Sequence, residues 1–528
     1  MQDRSSLGRA GRATAVATAA SRAAGFVRIL VLTAALGLGS RLLDSYNVAN
    51  TLPNAVYEVV AGGVLAGVLV PLLTRAVADD GDAGVAYAQR LLSLTVCALT
   101  ALTLLAVVAA PWLVRLYGPG FTAPQRELTV VLSRFFLPQI LFYGVSAVAG
   151  AVLTVRGRFA APMWAPLANS VVVIVVGLGY LAVGGTTRFA DLSAAELALL
   201  GVGTSAGVLA QAAFVVWSLS RSGFPVRLRA DPRGVAVRRI ARIGGWALLS
   251  VVAAQVLLAV ATRVASRSGP GGLSAYQHAL TVFQVPFAVV AVSLMTVLLP
   301  RLSRSAARRD HERVIGDLSL AARVAVVAVA PFAVALMLLG PQISVLLFAH
   351  GRSAGPTVAQ LGVVLSAFGV ALVPFTGYMV LQRGFFALQD TRTPALITTG
   401  VSAAGAALCL AAVRLLPPAA VVVAVPVAYA VAYAVGLVAT ALALRARLGR
   451  IDGRALVRTH VRVLVAAGAG AGGAWAAVRA LAPVVAPGWP GALVTVVVAG
   501  AAGAAGYAAA GRLVRLSELR QLAVVARG

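Results

Sequence analysis

The sequence predicts an all-α polytopic membrane protein of about 14 transmembrane helices, arranged as two six-helix lobes related by a pseudo-two-fold along the membrane normal, with two extra C-terminal helices. Three observations carry this expectation. Of the 528 residues, 60% are hydrophobic and only 11% charged, with a mean hydropathy of +0.92, whereas soluble domains carry roughly 25% charged residues. Apolar stretches of bilayer length recur to the C-terminal end. Related phrases also recur about 229 residues apart, which is the mark of an internal repeat.

Apolar runs between Arg, Gly and Pro punctuation place helices near residues 26, 62, 100, 142, 172, 208, 254, 290, 334, 370, 404, 430, 470 and 502. The first run lacks a small-residue cleavage site and is read as a span rather than a cleaved signal. With the N-terminus inside, thirty arginines fall in cytoplasmic segments and nine opposite, while Arg22, Arg28, Arg134, Arg323 and Arg383 lie within or at the edge of apolar spans. This bias predicts a multi-pass protein of the cell (plasma) membrane with both termini cytoplasmic.

The repeat sets the domain organisation. VLVPLLTR ending at Arg75 recurs as VLLPRLSR ending at Arg304, SYNVANT (45–51) is echoed by AYQHALT (275–281), and VRGRF (155–159) by QRGFF (382–386). An even number of helices per repeat keeps both halves in the same orientation. The expected division is residues 1–230 for helices 1–6, residues 231–450 for helices 7–12, and residues 451–528 for helices 13–14 and a cytoplasmic tail.

The net charge of +28 is read as orientation in the membrane rather than as a nucleic-acid footprint, because the basic residues sit in short links between apolar runs. All 44 basic residues are arginine. The phosphate-binding loop GxxxxGK[ST] needs a lysine, so that ATPase motif is excluded. Cys97 and Cys409 lie in apolar helices and read as core packing rather than a disulfide or metal site. No metal-ligand cluster and no catalytic constellation stands out, so no enzyme activity and no bound cofactor are expected.

Charged residues inside apolar helices cost about 2.5–3.5 kcal/mol on insertion scales and usually face a cavity or a partner. In the first helix Arg22 and Arg28 interrupt a span of small and apolar residues. On a regular helix Ser21, Gly25 and Arg28 share a face, with Arg22 turned away by about 120°, so the two arginines border a wide cavity rather than one groove. Asp44, just past the outer end of helix 1, and Glu58, inside helix 2, complete the set of substrate-binding candidates. For Glu58, neutralising an arginine and contacting a substrate remain equally open. Pro53 breaks the hydrogen-bond ladder of helix 2, and Gly62 with Gly63 permit bending. Asn54, Thr281 and Gln284 join Ser21, Gly25 and Pro53 as secondary cavity or hinge candidates. Arg134 reads as a helix-end anchor, and His278 as a packing residue rather than a proton acceptor.

SRAAGFVR (21–28), DSYNVANTLPN (44–54), GRFAAPMWAPLANSVVVI (157–174), LMTVLLPRLSR (294–304) and QRGFFALQDTRTP (382–394) follow one another in the chain. In these phrases the sequence resembles the MviN/MurJ family of lipid II flippases, within the multidrug/oligosaccharidyl-lipid/polysaccharide exporter superfamily, and the wording looks most like its actinobacterial branch. The resemblance implies fourteen helices, a cationic central cavity, alternating access, and outward transfer of an undecaprenyl-pyrophosphate-linked peptidoglycan precursor. It assigns Arg22, Arg28 and Asp44 to family positions. It also places Tyr57, Thr281 and Gln284 where other members carry charge, which implies a less cationic cavity here. The implied partners are the lipid-linked precursor and membrane lipids, with room for cell-wall synthesis or division proteins. A flippase for another polyprenyl-linked glycan, a cation-coupled drug antiporter of the same superfamily and a non-transporting scaffold are the competing readings. Without a nucleotide-binding loop, transport work is expected to come from the membrane potential or an ion gradient.

Overall fold

The computed structural model describes residues 4–60, 73–74, 77, 84–188, 191–227, 229, 237–308, 310–353 and 355–519, and these are all-helical. The helices are α1 (Arg4–Leu36), α2 (Arg41–Val60), α3 (Val85–Tyr117), α4 (Ala123–Phe136), α5 (Gln139–Val155), α6 (Ala160–Ala182), α7 (Ala194–Arg221), α8 (Val237–Ala265), α9 (Gly272–Ala307), α10 (His311–Phe348), α11 (Gly355–Ala387), α12 (Arg392–Leu415), α13 (Pro418–Leu448), α14 (Gly453–Leu481) and α15 (Trp489–Leu513). Twelve of the described spans are long and apolar enough to cross a membrane, with α4 and α5 together making one of them. The apolar run expected near residue 62 extends into residues 61–72, which lie outside the described residues. Twelve is therefore a count of the described spans alone. Gly62, Gly63 and most of the VLVPLLTR phrase lie outside the described residues.

The chain forms two compact units, residues 1–255 and 256–528. In unit 1, α1 packs on α6, α6 and α5 pack on α7, α2 packs on α4, and α3 packs on α5. One core of unit 1 gathers Leu91, Val148, Ala149, Val152, Leu153, Val215 and Leu219. In unit 2, α11 is central, touching α9, α10 and α13, while α14 and α15 pack on each other and on α10.

Local sequence explains where the helices stop. α1 ends at Gly37, whose φ of 82° suits a residue without a Cβ. Ser40 then opens α2, donating to the Leu36 carbonyl at 2.7 Å and accepting from the Leu43 N–H at 3.0 Å. The single span expected near residue 142 is two helices, because Pro138 has no N–H to continue the ladder. The break leaves Arg134 exposed in the last turn of α4. α7 starts with a reciprocal capping box, the Glu196 N–H to the Ser193 hydroxyl at 3.2 Å and the Ser193 N–H to the Glu196 carboxylate at 2.8 Å.

Two features of unit 2 depart from a purely apolar helix packing. A Cβ on Gly470 would lie 2.9 Å from the Gly503 carbonyl oxygen, and one on Gly506 2.9 Å from that of Ala469, so α14 and α15 meet backbone to backbone. Arg323 of α10 pairs at 2.6 Å with Glu518, whose side chain is 3% exposed and also accepts from the Thr459 hydroxyl at 3.1 Å. The Tyr507 hydroxyl donates to the Val327 carbonyl at 2.9 Å. Polar bonds thus fasten the last two helices to α10. Of the two cysteines expected in packed positions, Cys409 is buried, but Cys97 is exposed on α3. Cys97 lies on an outward face of α3 with the exposed Leu104, Leu105 and Val108.

Candidate functional site

In unit 1 the candidate residues do not form a single charged cluster. Ser21 donates to the Met163 carbonyl at 3.0 Å, and Gly25 faces the Ser170 hydroxyl, so the shared face of α1 is laid against α6. Arg22, turned away as expected, is exposed, while Arg28 is half-buried. Arg28 lies within electrostatic reach of the Tyr46 and Tyr143 hydroxyls. Neither arginine makes a hydrogen bond or ion pair with a described residue.

Asp44 sits in the first turn of α2 and is 2% exposed, where the positive end of the helix dipole favours its charge. Asn47, Thr51, Asn54 and Glu58 run down one side of α2. The Thr51 hydroxyl is bonded to the Asn47 carbonyl at 2.7 Å and the Asn54 amide to the Asn50 carbonyl at 2.7 Å. Pro53 is buried within the helix. Glu58 is exposed and forms no ion pair with a described residue. Beside it Tyr57 stacks on Tyr143 at 4.8 Å. Asn169, 6% exposed on α6, keeps a buried side-chain oxygen without a hydrogen-bond partner.

Unit 2 repeats this frame. Tyr46 bonds Thr204 at 2.8 Å and meets the edge of Phe136 at 5.2 Å; 230 residues later Tyr276 bonds Tyr429 at 3.1 Å and meets Phe368 at 6.3 Å. Thr51 and Thr281 both bond the carbonyl four residues back. Gln284 stands where α2 has Asn54, and Phe287 where it has Tyr57. Phe287 packs on Phe375 at 4.7 Å, as Tyr57 does on Tyr143. His278 lies face to face with Phe348 at 5.1 Å, a packing arrangement.

The acid of the QDTRTP phrase serves the fold. Asp390 accepts from the Arg392 N–H at 3.0 Å, the Thr393 N–H at 3.1 Å and the Thr393 hydroxyl at 2.8 Å, opening α12. Burial pushes its carboxyl up, but those bonds and the nearby Arg447 charge outweigh it and hold the group below the usual carboxylate range.

A profile of the lipid II flippase MurJ family matches residues 32–489. The chain belongs to that family. A lipid II flippase MurJ of Burkholderia cenocepacia is 28% identical over 391 residues, which is 73% of this chain and 74% of that protein. A probable lipid II flippase MurJ of Rhizobium meliloti is 28% identical over 396 residues, 74% and 72% of the two chains. A solved lipid II flippase MurJ in an inward closed conformation superposes with a TM-score of 0.75 at 18% identity, covering 95% of this chain and 98% of its own. An inward-facing multidrug resistance MATE family transporter of the MOP superfamily gives a TM-score of 0.65 at 16% identity, covering 80% and 94%. These likenesses place the chain in the MurJ/MATE-like fold, as a multi-pass membrane protein.

Within this MurJ-family chain, Tyr143 and Asn169 are added to the candidate residues by their position beside Arg28 and Tyr57. Tyr143 had only its aromatic type as a signal, since Phe375, its structural counterpart, stands 232 positions on and off the repeat offsets of 227 to 230. Asn169 had none, because only the packing of α6 brings it among polar neighbours.

Proposed function

We propose that this protein moves undecaprenyl-pyrophosphate-linked peptidoglycan precursor, lipid II, from the inner to the outer leaflet by alternating access, without enzymatic chemistry of its own. The observation that supports this reading is Arg28, a half-buried guanidinium within a membrane-spanning helix that forms no ion pair or hydrogen bond with a described residue. A charge held there without a protein counter-ion is suited to an anionic cargo. Its planar fork can grip two phosphate oxygens. Tyr46 and Tyr143 add neutral hydroxyls beside it.

The protein is placed in the plasma membrane with both termini cytoplasmic, on the arginine bias. The membrane potential is the proposed work source. Each net negative charge carried outward releases about 2.3 kcal/mol per 100 mV, since the cytoplasm is negative. The test is complementation of cells depleted of their own lipid II flippase, with precursor on the outer leaflet as the readout. Normal membrane insertion with no outer-leaflet precursor would falsify the assignment. A flippase for another polyprenyl-linked glycan is the second reading, favoured by the neutral Tyr57, Thr281 and Gln284.

A further inference from the structure

The polar stripe on α9 has a chemistry different from that of Arg28. Gln277, Thr281, Gln284 and Phe287 fall within about 120° of one another around a regular helix. Gln284 is exposed, and its amide has no hydrogen-bond partner among the described residues. An unsatisfied amide against hydrocarbon is costly, so this side of α9 faces water rather than lipid. Next to it the half-buried Phe287 rests on Phe375 at 4.7 Å, and Phe375 on the half-buried Tyr433 of α13 at 4.8 Å. Behind them Phe283, Phe368, Tyr378 and Tyr429 fix the rings from within. The stripe and its aromatic neighbours carry no acid and no base.

A water-facing surface of this composition selects among ligand classes. An ionised group would find no counter-charge on it. A polyprenyl tail would leave the Gln284 amide unsatisfied. A neutral sugar satisfies both demands, because its hydroxyl and N-acyl groups hydrogen-bond to amides while its C–H faces pack on rigid aromatic rings. We propose that Gln284, Phe287 and Tyr433 form a saccharide subsite, which takes the neutral sugars of the lipid-linked cargo. This inference rests on the carrier reading given above.

The test uses the full chain in lipid nanodiscs with two probes, a polyprenyl pyrophosphate bearing an N-acetylated disaccharide and the same polyprenyl pyrophosphate without sugar. Gln284→Leu and Phe287→Leu are expected to weaken binding of the sugar-bearing probe by about five- to tenfold, the scale of one aromatic contact, and to leave the sugar-free probe unchanged. Phe287→Tyr, which keeps the ring, is expected to bind both probes like the parent, and an unaltered unfolding temperature establishes that each variant is folded. Equal losses for both probes, or no loss for either, would overturn the saccharide subsite while leaving the carrier reading intact. Failure of the parent protein to bind either probe above empty nanodiscs would overturn the carrier reading and the subsite together.

Discussion

On α2 the stripe Asn47, Thr51, Asn54 ends at Glu58, in a unit whose first helix carries Arg22 and Arg28. On α9 the matching stripe Gln277, Thr281, Gln284 ends at Phe287 and Ala288, and the preceding helix is apolar at the corresponding positions. Both stripes are braced alike, by a buried tyrosine bonded across to the last helix of its own repeat and by an aromatic pair under 5 Å apart. The scaffold is therefore duplicated while the charge is not. Holding a charge in a membrane helix is costly, so it persists in the unit that uses it. The other unit fills the same positions with amides and rings.

The largest expected effect tests that asymmetry directly. Arg28→Ala should slow outward transfer of precursor in proteoliposomes on the order of a hundredfold, the loss of a charge-assisted contact of about 3 kcal/mol. Arg28→Lys should recover part of the rate, since it keeps charge and loses the fork. Gln284→Ala should slow transfer by no more than about tenfold. Equal damage at Arg28 and Gln284 would mean that the two units do not divide the work.

Stability offers a second contrast, because unit 2 leans on the Arg323–Glu518 pair. Glu518→Leu leaves Arg323 without its partner and should destabilise unit 2 by about 2 kcal/mol. That is less than the roughly 3–5 kcal/mol of a fully buried pair, since the Arg323 side chain keeps 22% exposure. Limited proteolysis should release α14 and α15 at a lower temperature than in the parent. An unchanged melting profile would show the pair to be energetically idle.

Smaller effects probe the shared scaffold. Tyr46→Phe and Tyr276→Phe each delete one buried hydrogen bond and should each cost about 1 kcal/mol. Costs differing by much more than that would break the equivalence of the two braces. The smallest effect concerns Asp390, which has no acidic counterpart in the VRGRF turn of unit 1. Its folded value is depressed, so its contribution is complete above the unfolded value near 3.9 and fades as pH falls through the folded one. Asp390→Asn keeps an acceptor and removes the charge. Melting temperatures of parent and variant should differ slightly at pH 7 and converge in acid; divergence in acid would reverse the assigned sign.

The apolar spans were legible in the sequence because bilayer thickness acts on every residue of a helix. The face shared by Ser21, Gly25 and Arg28 followed from helical periodicity alone. What lay opposite that face did not, because Met163 and Ser170 reach it only through the packing of α6. The break at Pro138 was written in the chain, yet a proline bends some helices and ends others, and here the following segment restarts on its own. Arg323 looked like an isolated intramembrane charge because its partner stands 195 positions away.

That separation has a consequence for synthesis. At about 5–20 residues per second, roughly 10 to 40 s pass between the emergence of Arg323 and that of Glu518. Throughout this interval α10 must be stabilised by headgroups or by the insertion machinery, and the carboxylate that completes it arrives only after α15 has threaded. The pair thus forms only after α14 and α15 have been made. A chain stopped between Leu513 and Glu518 contains α1 to α15 but lacks the pair, and should be degraded faster than the chain that carries it in a pulse-chase measurement.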